Sequence, residues 1–360
     1  MENKHNHYCI ILAGGAGKRL WPVSSRELPK QFIDFFCLGR TLLQQTYDRF
    51  AAFLPADHIY VSTYAHYTDK VHEQLPELPY ENILPEPVQL NTAAAAIWAT
   101  WHVVMRNPEA LVVASPSDQL IQYPDRFREQ IELGFDYVAS HHKFLAMGVR
   151  PTSPNTAYGY IQMGATLLDG RVYRVKSFTE KPELEYAKMF EESGEFLWNT
   201  GLFMWSGTTM GEFFDLVRGR EPHPVDCTAR QELTFAEEID YVRSTFPSEV
   251  PRSLDLMILE HAHQVAVQEC SFGWIDIGCW GEVHAAANRD ADGNAVSGKE
   301  RVLFSGSEDC VVALPDGMKA VIAGLKDVIV ALKGDTLLVC PKNDPDAIRR
   351  LINQAQMELE

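Results

Sequence analysis

Gly14, Gly15 and Gly17 follow directly on the apolar run Tyr8–Ala13, and four cations come close behind them: Lys18, Arg19, Arg26 and Lys30. Only Glu27 opposes them. Glycines after a buried strand permit positive φ and let backbone N–H groups approach a ligand closely. Arg can hold phosphate oxygens in a two-pronged fork, and Lys meets them as a mobile point charge. The chemistry these types and spacings serve is the binding and neutralisation of phosphate. Two common phosphate motifs do not fit. The P-loop needs Ser or Thr after its Gly-Lys, and here Gly17-Lys18 is followed by Arg19. The dinucleotide fingerprint fails at Leu20, where its third glycine belongs.

The rest of the chain is acidic, which sets this cluster apart. Lys and Arg total 32 against 49 Asp and Glu, a net charge of −17 over 360 residues. Such a balance excludes general nucleic-acid binding, which needs clustered cations. With 46% hydrophobic and 22% charged residues the chain reads as globular, and its length suggests two domains. The seven cysteines, Cys9, Cys37, Cys227, Cys270, Cys279, Cys310 and Cys340, are scattered and form no CxxC pair. That argues against a disulfide framework or zinc site and fits a cytoplasmic protein. Tyr8–Ala13 is too short for a signal-peptide core, and Thr92–Met105 is too short to cross a bilayer, so no membrane segment is expected.

The elements that must position the loop alternate. Strands are expected at Tyr8–Ala13, Ile59–Ser62, Ala110–Ala114 and Lys143–Val149. Helices are expected at Thr41–Phe53, Thr92–Arg106 with Asn91 as its cap, and Asp125–Ser140. This alternation implies a mostly parallel sheet covered on both faces, which binds ligands at the carboxyl ends of its strands. Further strands are expected at Gly159–Met163 and Val172–Phe178, joined by an Asp169-Gly170 turn, and at Leu202–Trp205 and Val265–Cys270, with helical stretches up to His261. From about Asn288 the texture becomes short β runs between turn signals, closed by a helix over Asp344–Met357. The expected boundary is therefore a catalytic domain over 1–287 and a small β-rich domain over 288–360.

The segment Gly14-Gly-Ala-Gly-Lys-Arg-Leu-Trp-Pro-Val-Ser-Ser-Arg-Glu-Leu-Pro-Lys-Gln-Phe32 resembles the signature of mannose-1-phosphate guanylyltransferases, within the sugar-phosphate nucleotidylyltransferases. Further segments resemble the family in order. They are Glu86-Pro87 with Asn91-Thr92-Ala93, Pro116-Ser117-Asp118, Thr156–Ile161, Phe178–Pro182, Trp198–Phe203 and Trp274–Trp280. The resemblance spans about residues 8–285. Lys18 stands where the family usually has Thr, and Gln119 where it often has His. The implied fold is α/β: a Rossmann-like mixed, mostly parallel sheet with helices on both faces, of the nucleotidyltransferase or GT-A-like kind. A small C-terminal β-rich unit, left-handed β-helix-like, follows it.

The resemblance implies nucleotidyl transfer from GTP to mannose 1-phosphate, with Mg²⁺ as cofactor and GDP-mannose and pyrophosphate as products. Arg19 and Lys30 are then the catalytic cations. Leu12, Ala13, Gly14, Gly15, Ala16, Gly17, Lys18, Arg19, Glu86, Asn91, Thr92, Ser117 and Asp118 are the nucleotide-side candidates. Lys30, Tyr158, Gly159, Glu180, Lys181, Asn199 and Gly201 are the sugar-phosphate candidates. Asp118 and Asp276 are the metal candidates, since Mg²⁺ takes one or two carboxylates and fills its octahedron with phosphate oxygens and water. Read without the resemblance, Asp118 suits a cap and Asp276 a turn beside Gly278. No isomerase activity is expected, for want of a His/Glu metal cluster in the tail. The sequence leaves room for a homodimer.

Overall fold

The computed structural model describes residues 4–168, 170–218, 233–246, 251–299, 301–342 and 344–359. Asp169 of the expected turn, Cys227 and part of the helical stretch before His261 lie outside the described residues. The chain forms two compact units. The first comprises Met1–Gly14, Tyr47–Pro116 and Ile121–Trp274; the second comprises Gly15–Thr46, Ser117–Leu120 and Ile275–Glu360. The strand-rich tail from 288 onward thus belongs to the same unit as the cation-bearing segment after Gly15.

The first unit is built on a nine-stranded sheet. Its order is Ile83–Glu86, Ile59–Tyr64, His7–Leu12, Leu111–Pro116, Phe196–Ser206, Phe144–Val149, Val265–Cys270, Val172–Thr179 and Tyr160–Leu168. Seven strands share one direction, and only Phe196–Ser206 and Val172–Thr179 run against them. The central strands are unbroken apolar runs because both sheet faces are covered. On Phe196–Ser206 the side chains alternate: Phe203 and Trp205 join the core cluster of helix Asn91–Arg106 with Trp98, Ala99 and Val103. Met204 meets helix Pro124–Ser140, where a Cβ on Gly134 would come 2.4 Å from its sulfur. Helix and sheet approach that closely only over a glycine.

Buried polar groups in this core are hydrogen-bonded, Glu238 and His102 among them. Glu238, 2% exposed, accepts hydrogen bonds from Trp98 Nε1 and His102 Nδ1, each at 2.8 Å. Arg106 lies 3.6 Å away. These bonds satisfy a charge that burial would otherwise make expensive.

The start of helix Asn91–Arg106 corrects one expectation. Asn91 does not cap it: its φ is 68°, and its side-chain oxygen accepts from the next N–H, that of Thr92, at 2.8 Å. A distant segment meets the helix start instead, taking one N–H of the helix and donating one of its own to a helix side chain. Ala93 N–H donates to Arg252 O at 3.1 Å, and Thr92 Oγ1 accepts from Leu254 N–H at 2.8 Å.

In the second unit, short strands stack in parallel register. Ala295–Ser297 pairs with Val311–Ala313, which pairs with Val328–Lys333, and Thr336–Pro341 closes that ladder antiparallel. Arg301–Ser305 pairs in parallel with Lys319–Ala323. The apolar residues of this stack, Val311, Ala313 and Ile329, pack with Leu20, Phe35, Ile277 and Trp280 in one core. Trp280 Nε1 donates to Trp21 O at 3.2 Å, and Ser297 Oγ to Phe35 O at 2.8 Å. The tail therefore braces the loop that carries the cations. Among the described residues no helix is long and apolar enough to cross a membrane.

Candidate active site

Arg19, Lys30, Asp118 and Asp276 come from three separate stretches of chain, and the second unit brings them together. Gly17 starts the short helical turn Lys18–Leu20 with φ 62°. A Cβ there would lie 2.5 Å from Ser24 Oγ and 3.0 Å from Lys30 N, so both conformation and space require glycine. Gln31 Nε2 ties down the loop through Gly15 O at 2.9 Å. Lys30, only 8% exposed, places its Nζ 2.7 Å from Asp118 Oδ2 and donates to Ile277 O at 2.8 Å. Ile277 N–H in turn donates to Asp118 O at 3.1 Å. Around Gly278 three charged groups crowd into the space a Cβ would fill. Asp276 Oδ2 would be 2.6 Å from it, Arg19 Nη2 3.0 Å and Glu282 Oε2 3.2 Å.

This packing governs the charges. Burial pushes the Asp276 carboxyl up to about 7, Asp118 and Glu282 push the same way, and Lys30 and Arg19 pull it down. Burial disfavours the Lys30 ammonium, but Asp118 and Asp276 outweigh it and hold its pKa above the ordinary value. The cluster is thus a pair of cations interleaved with more carboxylate than they neutralise. A hard divalent cation fits that imbalance, and the oxygen donors of Asp118 and Asp276 suit Mg²⁺. Among the described residues no three His, Cys, Asp or Glu side chains are grouped to hold a metal alone. Two carboxylates would then share it with phosphate and water oxygens. Lys18 is exposed, Ser117 is buried, and Ala16 is half-buried.

In the first unit, Leu12, Ala13, Gly14 and Glu86 gather at the ends of neighbouring parallel strands. Ala13 N–H donates to Ser62 O at 2.8 Å, and Thr63 Oγ1 to Ala13 O at 3.1 Å. Glu86, 5% exposed, accepts from Ser62 Oγ at 2.9 Å and lies 3.4 Å from where a Gly14 Cβ would be. Burial pushes its carboxyl up to about 7, against the pull of the Ser62 hydroxyl. Asn91 and Thr92 stand at the helix start described above.

Apart from Lys30, the sugar-side candidates lie in the first unit. The Tyr158 ring packs edge-on against Trp198 at 5.1 Å and Trp274 at 5.0 Å. Gly159 O accepts from Asn199 N–H at 2.8 Å. Glu180 pairs with Lys181, which adopts φ 42° directly before Pro182. A lysine in the left-handed region is strained, and such strain persists where the surroundings over-determine it. Asn199 and Gly201 lie inside strand Phe196–Ser206, which starts earlier than the expected Leu202. Gly201 N–H donates to Asn199 Oδ1 at 3.1 Å. Asn199 Nδ2 donates to Asp255 Oδ1 at 2.6 Å.

Three residues escaped the sequence reading: Glu282, Ser62 and Asp255. Glu282 stands four residues after Gly278, and its Oε2 accepts the Gly278 N–H at 3.1 Å, a helix-turn spacing that could have flagged it. Ser62 and Asp255 carry no such local signal.

A nucleotidyl transferase family model matches residues 8–212, more than half of the chain. A mannose-1-phosphate guanylyltransferase of Salmonella montevideo is 30% identical over 97% of this chain and 74% of its own length. The chain belongs to the nucleotidyl transferase family, in its mannose-1-phosphate guanylyltransferase branch. A putative mannose-1-phosphate guanylyltransferase of Vibrio cholerae is 29% identical, again over 97% of this chain and 74% of its own length. Among solved structures, one from Thermus thermophilus, described as a mannose-1-phosphate geranyltransferase, superposes with a TM-score of 0.83 at 26% identity. It covers 98% of this chain and 99% of its own. A mannose-6-phosphate isomerase of Helicobacter pylori shares the fold at 23% identity and a TM-score of 0.58, over 75% of this chain and 100% of its own. The chain is therefore an enzyme of the nucleotidyltransferase class.

Proposed function

We propose that the chain transfers GMP from GTP to mannose 1-phosphate, giving GDP-mannose and releasing pyrophosphate. The observation that carries this reading is the gathering of Arg19, Lys30, Asp118 and Asp276 in one packed unit. The named relatives supply the choice of sugar and base.

The chemistry asks little proton transfer of the protein. A phosphate monoester has its second pKa near about 6, so its oxygen is already anionic at neutral pH. That oxygen attacks the α-phosphorus of GTP, the bond from the α-phosphorus to the α–β bridging oxygen breaks, and pyrophosphate leaves with the electron pair. No general base is needed. The barrier is the approach of one anion to another, and fixed cations lower it. The Arg19 fork and the Lys30 ammonium supply that charge, and the Gly14–Gly17 backbone lets phosphate oxygens come close. Asp118 and Asp276 would hold Mg²⁺, which when bound adds positive charge against phosphate oxygens.

Selection of the base falls to Glu86. Above about pH 7 the Glu86 carboxyl is ionised and only accepts hydrogen bonds, and guanine presents two adjacent donors, N1–H and N2–H. On the sugar side, Glu180 can accept hydroxyl hydrogens and Lys181 can meet the 1-phosphate, with Tyr158, Gly159, Asn199 and Gly201 shaping the subsite.

The test is pyrophosphate release from Mg²⁺, GTP and mannose 1-phosphate, run against panels of other triphosphates and sugar 1-phosphates. GTP with mannose 1-phosphate should give the highest kcat/KM, and EDTA should abolish turnover until Mg²⁺ is restored. A faster pair elsewhere in the panel overturns the substrate assignment. Turnover that survives EDTA overturns the metal role of Asp118 and Asp276.

A further inference from the structure

The Asn199 side chain is held from both ends. Its Oδ1 accepts the Gly201 N–H at 3.1 Å, and its Nδ2 donates to Asp255 Oδ1 at 2.6 Å. A backbone N–H can only donate and a carboxylate can only accept, so these two partners settle which end of the amide is oxygen and which is nitrogen. Gly201 has φ 74°, the left-handed conformation that glycine tolerates. Of the two holders, Asp255 is the one made of side-chain chemistry.

Asp255 is itself firmly placed. It sits in the segment that covers the start of helix Asn91–Arg106, through Arg252 O to Ala93 N–H at 3.1 Å and Leu254 N–H to Thr92 Oγ1 at 2.8 Å. Ser253 Oγ accepts from Leu256 N–H at 3.2 Å and fixes the turn on the other side. The carboxyl feels Glu180 and Lys181: burial raises its pKa first, Glu180 adds to that, and Asn199 and Lys181 oppose it. Asp255 therefore belongs electrostatically to the group of residues assigned to the sugar, although it lies far from all of them in sequence. Its bond to Asn199 takes up one of the roughly four lone-pair positions a carboxylate offers.

We propose that Asp255 is a positioning residue for hexose recognition, acting through Asn199. It fixes the amide so that one N–H and one oxygen lone pair stay in a set orientation for sugar hydroxyls. The proposal rests on the sugar-side assignment made above and deepens it. The same segment holds Thr92, so Asp255 must be told apart from a mere brace of the nucleotide-side helix.

The test is steady-state kinetics of the full chain carrying Asp255→Ala, Asp255→Asn, Asn199→Ala and the Asp255→Ala/Asn199→Ala pair. Loss of a hydrogen bond to a charged group should raise KM for mannose 1-phosphate about tenfold or more in Asp255→Ala, with KM for GTP within about twofold. Asp255→Asn keeps a carbonyl that can accept from Asn199 Nδ2, and should recover most of the loss. Asn199→Ala should match Asp255→Ala, and the double variant should be no worse than either single, the signature of action through one residue. An unchanged sugar KM in Asp255→Asn and Asp255→Ala overturns the proposal. So does additivity in the double variant, or an equal rise in KM for GTP. Melting curves identify an Asp255→Ala protein that fails to fold; the Asp255→Asn and Asn199→Ala comparison then decides, with a wild-type-like Asn199→Ala overturning the proposal. If the wild type prefers another sugar 1-phosphate, the substrate assignment fails by itself, and the same series on the preferred sugar still decides the role of Asp255.

Discussion

Glu86 offers a direct test of the site's electrostatics, because its titration should be visible in stability. An ordinary glutamate in an unfolded chain loses its proton near 4.5, whereas burial holds the folded carboxyl up to about 7. Between those values the folded protein keeps a proton that the unfolded chain has released. Folding then takes up a proton, so stability contributed at this site is complete below about 4.5, falls as pH rises and levels off above about 7. The separation corresponds to roughly 3 kcal/mol, at about 1.4 kcal/mol for each pH unit. Glu86→Gln keeps an oxygen for the Ser62 hydroxyl and has no proton to lose. Unfolding entropy is about 2.1 cal/mol/K per residue. About 2.5 kcal/mol of this falls between pH 5 and pH 8, so for 360 residues the variant should gain roughly 3 °C in Tm on the wild type over that range. Other titrating groups are common to both proteins and cancel in the difference. The measurement is a pair of thermal melts at half-unit pH steps without nucleotide. Melting temperatures that run parallel across the range would refute the account of a buried, proton-holding Glu86.

Lys30→Ala should lower kcat by at least about a hundredfold while circular dichroism reports an intact fold, and near-normal turnover removes Lys30 from the catalytic cations. Gly278→Ala puts a methyl 2.6 Å from Asp276 Oδ2 and 3.0 Å from Arg19 Nη2, so it should cost about tenfold in kcat; a wild-type rate shows that the crowding is not functional. Glu238→Ala strands the buried donors of Trp98 and His102 and should destabilise the protein by about 3 kcal/mol, seen as a lower Tm with little change in rate per folded molecule. A Glu238→Ala protein as stable as the wild type would contradict that bonding.

What the sequence made legible was what is local. The strand before Gly14, the glycine loop and Lys30 lie within one short stretch, so their being neighbours needed no long-range knowledge. Strand Val265–Cys270 and the short β runs of the tail also declare themselves by composition and turn residues. What stayed hidden was partnership across long separations. Nothing near Asp255 signals that it meets Asn199, and nothing near Glu238 signals His102. The direction of Phe196–Ser206 is equally silent, because an apolar run reads the same whichever way its neighbours point. Asn91 misled for a related reason. Asn before a helical run is a sound capping signal, yet the Ala93 N–H is met by Arg252 O and the Thr92 side chain by Leu254 N–H, from more than a hundred residues away.

The ammonium of Lys30 already has partners within the chain, since Asp118 lies against it and Ile277 O accepts a hydrogen bond from it. On the function proposed above, an incoming phosphate would not meet a bare cation. It would gain only the margin by which its own oxygens outbid a carboxylate already in place, so affinity for any single anion would be muted. Such an arrangement would favour a guest that brings several negative groups at once over the stray monovalent anions of the surrounding solution.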